Sequence, residues 1–372
     1  MKVDKLKLKT VSTNVLTQAI ISICAIVIAV IVGAILINAM GKNPIVALSS
    51  LLQGAIGSKY YFSETLVKTA PLLFTGISYA VCSKCGLTNL GMEGQMYLGA
   101  IFATTIGVYV AGLPSAIHLP FCLIAGFIGG GIWCLITGIL KVYCGASEVI
   151  TTVMLNSIAS FLNDYLINGP MIAQVGGNPQ TKNVLDSARL MNIMPGTRLH
   201  FGFILGLIFI FLYYIFIQRS KKGYEVRVSG MNNNAALYSG INTKKNILLV
   251  TFIAGGCAGL AGTIEILGIQ KCIQSAFASG YGYDGIAVSL IGQNSPIGII
   301  FGALLFGAFH AGGNNMMRKA QVPDSIVSVI QALIIISVVA SHMIIEILND
   351  RKLKKQTTNE IMTKENVGKG EK

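Results

Sequence analysis

Residues 247–268 read ILLVTFIAGGCAGLAGTIEILG, and Glu265 is the one charged side chain among them. A helix rises about 1.5 Å per residue, so this stretch reaches about 33 Å, enough to cross a hydrocarbon core of about 30 Å. Stretches of the same kind occupy residues 17–40, 65–84, 88–111, 117–141, 148–168, 200–218 and 323–347. A further apolar region, 284–312, is interrupted by Gln293-Asn294-Ser295-Pro296. Proline cannot continue a helix ladder and its predecessor avoids the helical region, so the interruption predicts two short membrane segments. The whole chain of 372 residues is 53% hydrophobic and 12% charged, with mean hydropathy +0.67. A soluble domain carries roughly a quarter charged residues, so a water-soluble enzyme is excluded. The expectation is an all-α polytopic membrane protein with about ten transmembrane helices.

The net charge of +13 follows the topology. Lys2, Lys5, Lys7 and Lys9, then Lys84, Lys141, six basic residues between Arg219 and Lys245, and seven in the tail make 19 of the 28 Lys and Arg. With the N-terminus in the cytoplasm, all 19 lie on the inner side, as positive-inside asymmetry requires. Both termini are therefore expected in the cytoplasm, with Arg318 and Lys319 as the exception outside. The expected organisation is a basic segment 1–16, a membrane domain 17–347 and a disordered cytoplasmic tail 348–372 rich in Lys, Glu, Asn and Thr. The first apolar run exceeds the 7–15 residues of a signal-peptide core and reads as an uncleaved span. Basic residues are not interleaved with aromatics that stack bases, so nucleic acid is not an expected partner. Eight cysteines are scattered, mostly within apolar blocks. Cys82-Ser83-Lys84-Cys85 has no second pair or nearby histidine and reads as packing at a helix end, with no metal expected.

Lipid-embedded helices associate through close backbone approach at small residues. Gly126-x-x-x-Gly130, Gly255-x-x-x-Gly259 and Gly298-x-x-x-Gly302 therefore predict a compact bundle. Polar side chains at membrane depth cost a few kcal/mol on insertion scales and face a cavity or a partner. Asn89, Glu93, Gln95 and Asn156 are the candidate pathway residues, with Asp164, Glu265, Gln293 and Asn294 also at depth. The alternative for the cluster 89–95 is hydrogen bonding at a helix terminus. Glu265 and Asp284 would be the relay groups of a proton-coupled carrier. His310, with no carboxylate beside it in sequence, reads as a packed, hydrogen-bonded histidine. No Walker-type phosphate loop and no G-x-S-x-G or H-E-x-x-H motif occurs, so the chain by itself does not hydrolyse ATP, and no cofactor is expected.

Two connections are long enough for a function: an external loop 169–199, either a lid, a docking surface or a plain connection, and a cytoplasmic loop 219–246. In the second, Asn232-Asn233-Asn234 offers N-cap side chains, Ala235-Ala236-Leu237-Tyr238 favours a helix, and Gly240 suits a left-handed cap. A helix this short needs packing against something else. Asn233, Asn234, Ala235, Ala236, Tyr238 and Gly240 are accordingly the candidate partner-docking residues, unless the helix is an idle turn.

Gly230-Met231-Asn232-Asn233-Asn234-Ala235-Ala236-Leu237-Tyr238-Ser239-Gly240-Ile241-Asn242 resembles the coupling-helix loop of ABC importer permeases for ribose, branched-chain amino acids and nucleosides. Asn89-Leu90-Gly91-Met92-Glu93-Gly94-Gln95-Met96 resembles the N-[IL]-G-x-E-G-Q-[ML] signature of the nucleoside branch. Glu148-Val149-Ile150-Thr151-Thr152-Val153-Met154-Leu155-Asn156, Gly196-Thr197-Arg198-Leu199-His200 and Ala258-Gly259-Leu260-Ala261-Gly262-Thr263-Ile264-Glu265 resemble its other motifs, in order, within residues 15–345. Asn232-Asn233-Asn234 stands where the family often has Asn-Pro-Glu, so an acidic residue common in that helix is absent.

The resemblance implies a type II, vitamin-B12-importer-like bundle in a bacterial cell membrane. It also implies pairing with a second permease, identical or related, with cytoplasmic ATPase subunits and with an extracytoplasmic lipid-anchored binding protein that delivers a nucleoside. Closure of the ATPases would then pull on the helix at Asn233–Gly240. The alternatives are a sugar, autoinducer or amino-acid permease of the same fold, a proton-coupled secondary transporter, or a membrane scaffold.

Overall fold

The computed structural model describes residues 27–28, 30–174, 176–278, 280–323 and 325–337. The basic segment 1–16, the start of the first span, the end of the last and the tail 348–372 lie outside the described residues. Among the described residues the chain is helical, with three isolated β-bridges and no strand. The helices are α1 (Val30–Ala39), α2 (Pro44–Ile56), α3 (Lys59–Lys84), α4 (Met92–Tyr109), α5 (Ser115–Cys144) and α6 (Glu148–Asn168). They continue with α7 (Gly202–Tyr214), α8 (Lys221–Met231), α9 (Asn233–Tyr238), α10 (Thr243–Glu265), α11 (Tyr281–Ile291), α12 (Pro296–Ala320) and α13 (Ser325–Ser337). A π-turn extends α7 to Arg219 and another extends α10 to Gln270. Five helices are long and apolar enough to cross a membrane: α3, α5, extended α7, extended α10 and α12. The fold is therefore that of a polytopic membrane protein.

Helix α2 had no counterpart in the sequence reading, because its 13 residues are too few for a span and lie between two longer runs. The break before Pro296 is present and has a physical cause. Gln293 and Asn294 adopt φ of 54° and 52°, a left-handed conformation that ends a helix and that asparagine tolerates. Asn294 is then fixed on three sides. Its Nδ2 donates to Ser83 Oγ (2.9 Å), its Oδ1 accepts from Ser289 Oγ (2.7 Å) and its carbonyl accepts from the Tyr213 hydroxyl (2.7 Å). Ser295 Oγ accepts from Gly298 N (3.1 Å), and α12 begins on Pro296, the first-turn position where a missing N–H is harmless.

The chain divides into two units. One comprises residues 1–48 and 320–372; there α1 meets α13 where Gly33 faces Ile330, and Lys42 Nζ donates to Gln321 Oε1 (3.4 Å). The other, Ser49–Lys319, holds the bundle. In it α3 and α10 are central, with 83% and 72% of their most apolar windows buried, whereas α5 and α7 are peripheral at 33% and 28%.

Glycine sets the spacing of the centre. Gly126 and Gly130 of α5 lie on Gly255 and Gly259 of α10, and Gly99 of α4 lies on the other side of Gly259. A Cβ added at Gly130 would sit 2.6 Å from the Gly259 Cα, and one added at Gly259 would overlap the Gly126 carbonyl oxygen. Two of the three glycine pairs read from the sequence thus face each other. The third, Gly298 and Gly302, holds α12 against Gly292 and Val288 of α11. Forcing a methyl into such a contact costs about 1–3 kcal/mol. Gly259→Ala should therefore lower the melting temperature of the purified chain. Gly177→Ala, whose added Cβ meets nothing nearer than 3.4 Å, should stay within about 0.5 kcal/mol of wild type.

Candidate functional site

At one end of the bundle α8 and α9 form the connection between α7 and α10. The Asn232 side chain caps α9, its Oδ1 accepting from Asn234 N (3.0 Å) and Ala235 N (3.1 Å). The helix stops at Gly240, at φ 74°. Ile241 N donates to Ala236 O and Gly240 N to Leu237 O (both 3.0 Å), the paired bonds of a Schellman cap. The short helix expected at Asn233–Gly240 is therefore present and capped at both ends. Asn233, Asn234, Ala235, Tyr238 and Gly240 are exposed, but Ala236 is fully buried within the chain. The exposed surface of α9 instead carries Tyr238, 95% exposed, and its neighbour Leu237, and Met231 at the end of α8 is exposed as well. Leu237, Asn233, Lys141 and Lys244 line an adjoining groove of about 630 Å³. Gly230 of α8 sits directly on the backbone of Lys84 and Cys85, so the connection is seated on the end of α3. Cys82 and Cys85 are buried free thiols at this helix end, and no metal-ligand cluster occurs among the described residues.

The residues 85–91 turn back from this end, and Asn89 Nδ2 reaches Ser78 Oγ (3.3 Å). Ser78 lies six residues before the end of α3, about 9 Å along its axis, so α4 opens inside the bundle. The first N–H groups of a helix need partners. Here Asn89 Oδ1 accepts from Gly91 N (3.0 Å), and Asn156 of α6 accepts from Gly94 N while donating to Leu90 O (both 2.8 Å). Gln95 exchanges amide hydrogen bonds with Asn89 (2.9 and 3.1 Å). Glu93 accepts from Gly280 N (2.7 Å), placing a carboxylate at the start of α11. All four expected pathway residues thus gather where α4 begins, and each already has a hydrogen-bond partner in the chain.

Toward the other end of α3 lies a polar cluster that the sequence did not assemble. Lys68 Nζ donates to the Tyr281 hydroxyl (2.9 Å), the Tyr281 ring lies 5.6 Å from the His310 ring, and His310 Nε2 bonds Asp284 Oδ2 (2.6 Å). His310 is hydrogen-bonded, as expected, but to a carboxylate 26 residues away on α11. Beyond them Arg198 Nε donates to Glu64 Oε1 (2.9 Å), and Nη2 makes a second bond to the same carboxylate. The Glu64 hydrogen bond holds the Arg198 pKa above its ordinary value despite partial desolvation. Glu265, near the end of α10, is buried and accepts from Gln270 Nε2 (3.3 Å) across the π-turn. The 169–199 loop is laced to this end rather than free. Thr181 N donates to Ile273 O (3.1 Å), Val184 N to Lys271 O (2.8 Å) and Leu190 N to Leu267 O (3.0 Å).

Residues 61–339 match the family described as the branched-chain amino acid transport system permease component. The chain belongs to that family. It is a membrane transport component rather than an enzyme. The permease is 34% identical over 351 residues to the guanosine ABC transporter permease protein of Bacillus subtilis, covering 92% of this chain and 99% of that one. It is 33% identical over 344 residues to a nucleoside ABC transporter permease protein of Lactococcus lactis (90% and 94%). It is also 30% identical over 330 residues to a glucose ABC transporter permease protein of Haloferax volcanii (86% and 87%). No solved structure matches. In this permease Asn156→Leu strips two backbone partners from the buried start of α4, each loss being about 1–3 kcal/mol. Its melting temperature should fall measurably, with expression and membrane insertion retained.

Proposed function

We propose that this permease is one of two membrane subunits of an ATP-driven importer of nucleosides in a bacterial cell membrane. In this reading the bundle spans the membrane about ten times with both termini in the cytoplasm, in the type II arrangement. The near full-length likeness to the guanosine and nucleoside permeases carries the solute assignment. A lipid-anchored binding protein delivers substrate on the side of Arg198, and a cytoplasmic ATPase holds α9. Asn233, Asn234, Ala235, Tyr238 and Gly240 contact that subunit, while Ala236 supports them from beneath. Asn89, Glu93, Gln95 and Asn156 line the inner half of the route. Their mutual bonds close it in the present state, and solute hydroxyls and amides exchange for those bonds as α4 separates from α6 and α11. Weak, exchangeable bonds suit a path that must release what it carries.

In proteoliposomes holding the whole complex, radiolabelled nucleosides should accumulate with ATP, and ribose and leucine should not. The glucose permease relative supports a sugar as the second reading, and accumulation of glucose in place of nucleosides would replace the first. Docking has its own test. Tyr238 is almost wholly exposed, so Tyr238→Ala should leave the fold intact and weaken ATPase co-purification roughly tenfold or more, as loss of an aromatic interface anchor does. Co-purification at the wild-type level would reduce α9 to a connection.

A further inference from the structure

The first three turns of α3 and the last turns of α12 enclose a cavity of about 290 Å³, lined among others by Tyr60, Tyr61, Glu64, Lys68, Arg198 and Asn314. It lies far from the coupling connection. Lys68 is sixteen residues from Lys84, about 24 Å along α3, and Tyr60 is farther still. Its volume is near the lower end of the roughly 300–1,000 Å³ of small-molecule sites. Its chemistry is mixed in a specific way. Tyr60 and Tyr61 form an edge-on ring pair with centroids 5.9 Å apart, and Tyr60 is 47% exposed, which leaves aromatic surface free. Glu64, though buried, is joined to Arg198 by two hydrogen bonds, and Lys68 is engaged by the Tyr281 hydroxyl. Of the three lining cations, Arg198 and Lys68 are thereby committed within the chain, whereas Arg318 is exposed and, like the Asn314 amide, open to a ligand. Behind Lys68, the sequence of groups Tyr281, His310 and Asp284 continues the polar lining inward, toward the α11 start that Glu93 caps.

We propose that this cavity is the outward receiving site of the permease and that it takes a nucleoside. The base stacks on Tyr60, and the ribose hydroxyls bond to Asn314 and to the outer edge of the Glu64–Arg198 pair. The inference rests on the nucleoside reading above. A flat aromatic base with a polyhydroxyl sugar uses both halves of this lining. Free ribose lacks the ring to stack. Because the Glu64 carboxylate already has its guanidinium partner, the ligand adds few strong bonds and is held weakly, as a handover site requires.

The test uses the full permease complex in lipid nanodiscs, without the binding protein, and saturation-transfer NMR with guanosine as the probe. Guanosine should receive saturation on base and ribose protons, with free ribose binding more weakly. Tyr60→Ala should weaken guanosine binding roughly tenfold, the scale of one lost base–aromatic stack, and Asn314→Leu should weaken it severalfold. Tyr109→Ala removes an exposed tyrosine that does not line the cavity and should leave binding unchanged. Unaltered binding in both cavity variants, or binding of free ribose as tight as that of guanosine, overturns the proposal. The two readings fail separately. ATP-driven guanosine uptake that is indifferent to Tyr60→Ala and Asn314→Leu sinks the site and leaves the importer. Guanosine binding that these variants abolish, with no guanosine uptake by the wild-type complex, supports the site and sinks the nucleoside importer.

Discussion

Close contact at Gly99, Gly126, Gly130, Gly255 and Gly259 brings the backbones of α4, α5 and α10 together. In lipid, burial of apolar surface gives neighbouring helices little reason to associate, so dispersion at short range and a few interhelical hydrogen bonds supply the cohesion. The contact has a second effect. With α10 held this closely, Thr263 Oγ1 reaches Gly99 O (3.4 Å) and Gly262 abuts the Met96 backbone, which fixes the height of α4 in the bundle. That height places the non-helical residues 85–91 in the interior, and a buried helix start needs the amides of Asn89 and Asn156.

Irregular backbone at membrane depth survives only where protein or water satisfies it. Among the described residues, the start of α4 and the turn from α11 to α12 are two such places inside the bundle. Both are settled by asparagine. Asn156 reaches across from α6, and Asn294 ties its turn to Ser83 of α3 and Tyr213 of α7. Polar residues that look costly in a hydropathy profile are thus the parts that allow helices to stop and restart inside the membrane. Glu93 and Asp284 lie in the first turns of α4 and α11, and His310 of α12 bonds Asp284, so ionisable groups gather around these helix starts.

Much of this was legible from local chemistry. The α9 helix followed from an asparagine cap, an Ala-rich turn and Gly240, all within ten residues, and the α11–α12 break followed from Pro296. What the sequence withheld was long-range. Nothing in 281–310 says that Asp284 and His310 meet, since a 26-residue separation and two helix phases decide it. Nor does α9 composition reveal that Ala236 faces inward, because a six-residue helix has too few positions for an apolar face to stand out. Helix α2 was missed for the opposite reason, being apolar but too short for the length rule that found the others. The cluster 89–95 was recognised as important while two readings stayed open, and the geometry exhibits the hydrogen bonds of a helix start.

Pro71 lies within α3 and is buried. Proline has no N–H, so the helix lacks one rung of its ladder there and bends more readily than elsewhere. The helix is thus two stiff segments joined by a compliant point. The segment 72–84 is clamped under Gly230, whereas the segment 59–70 carries Tyr60, Glu64 and Lys68. A few degrees of flexure at residue 71 displaces the far end of that segment by several times what it displaces the joint. The Arg198–Glu64 bond, 2.9 Å long and dependent on alignment, is therefore mounted where leverage is greatest.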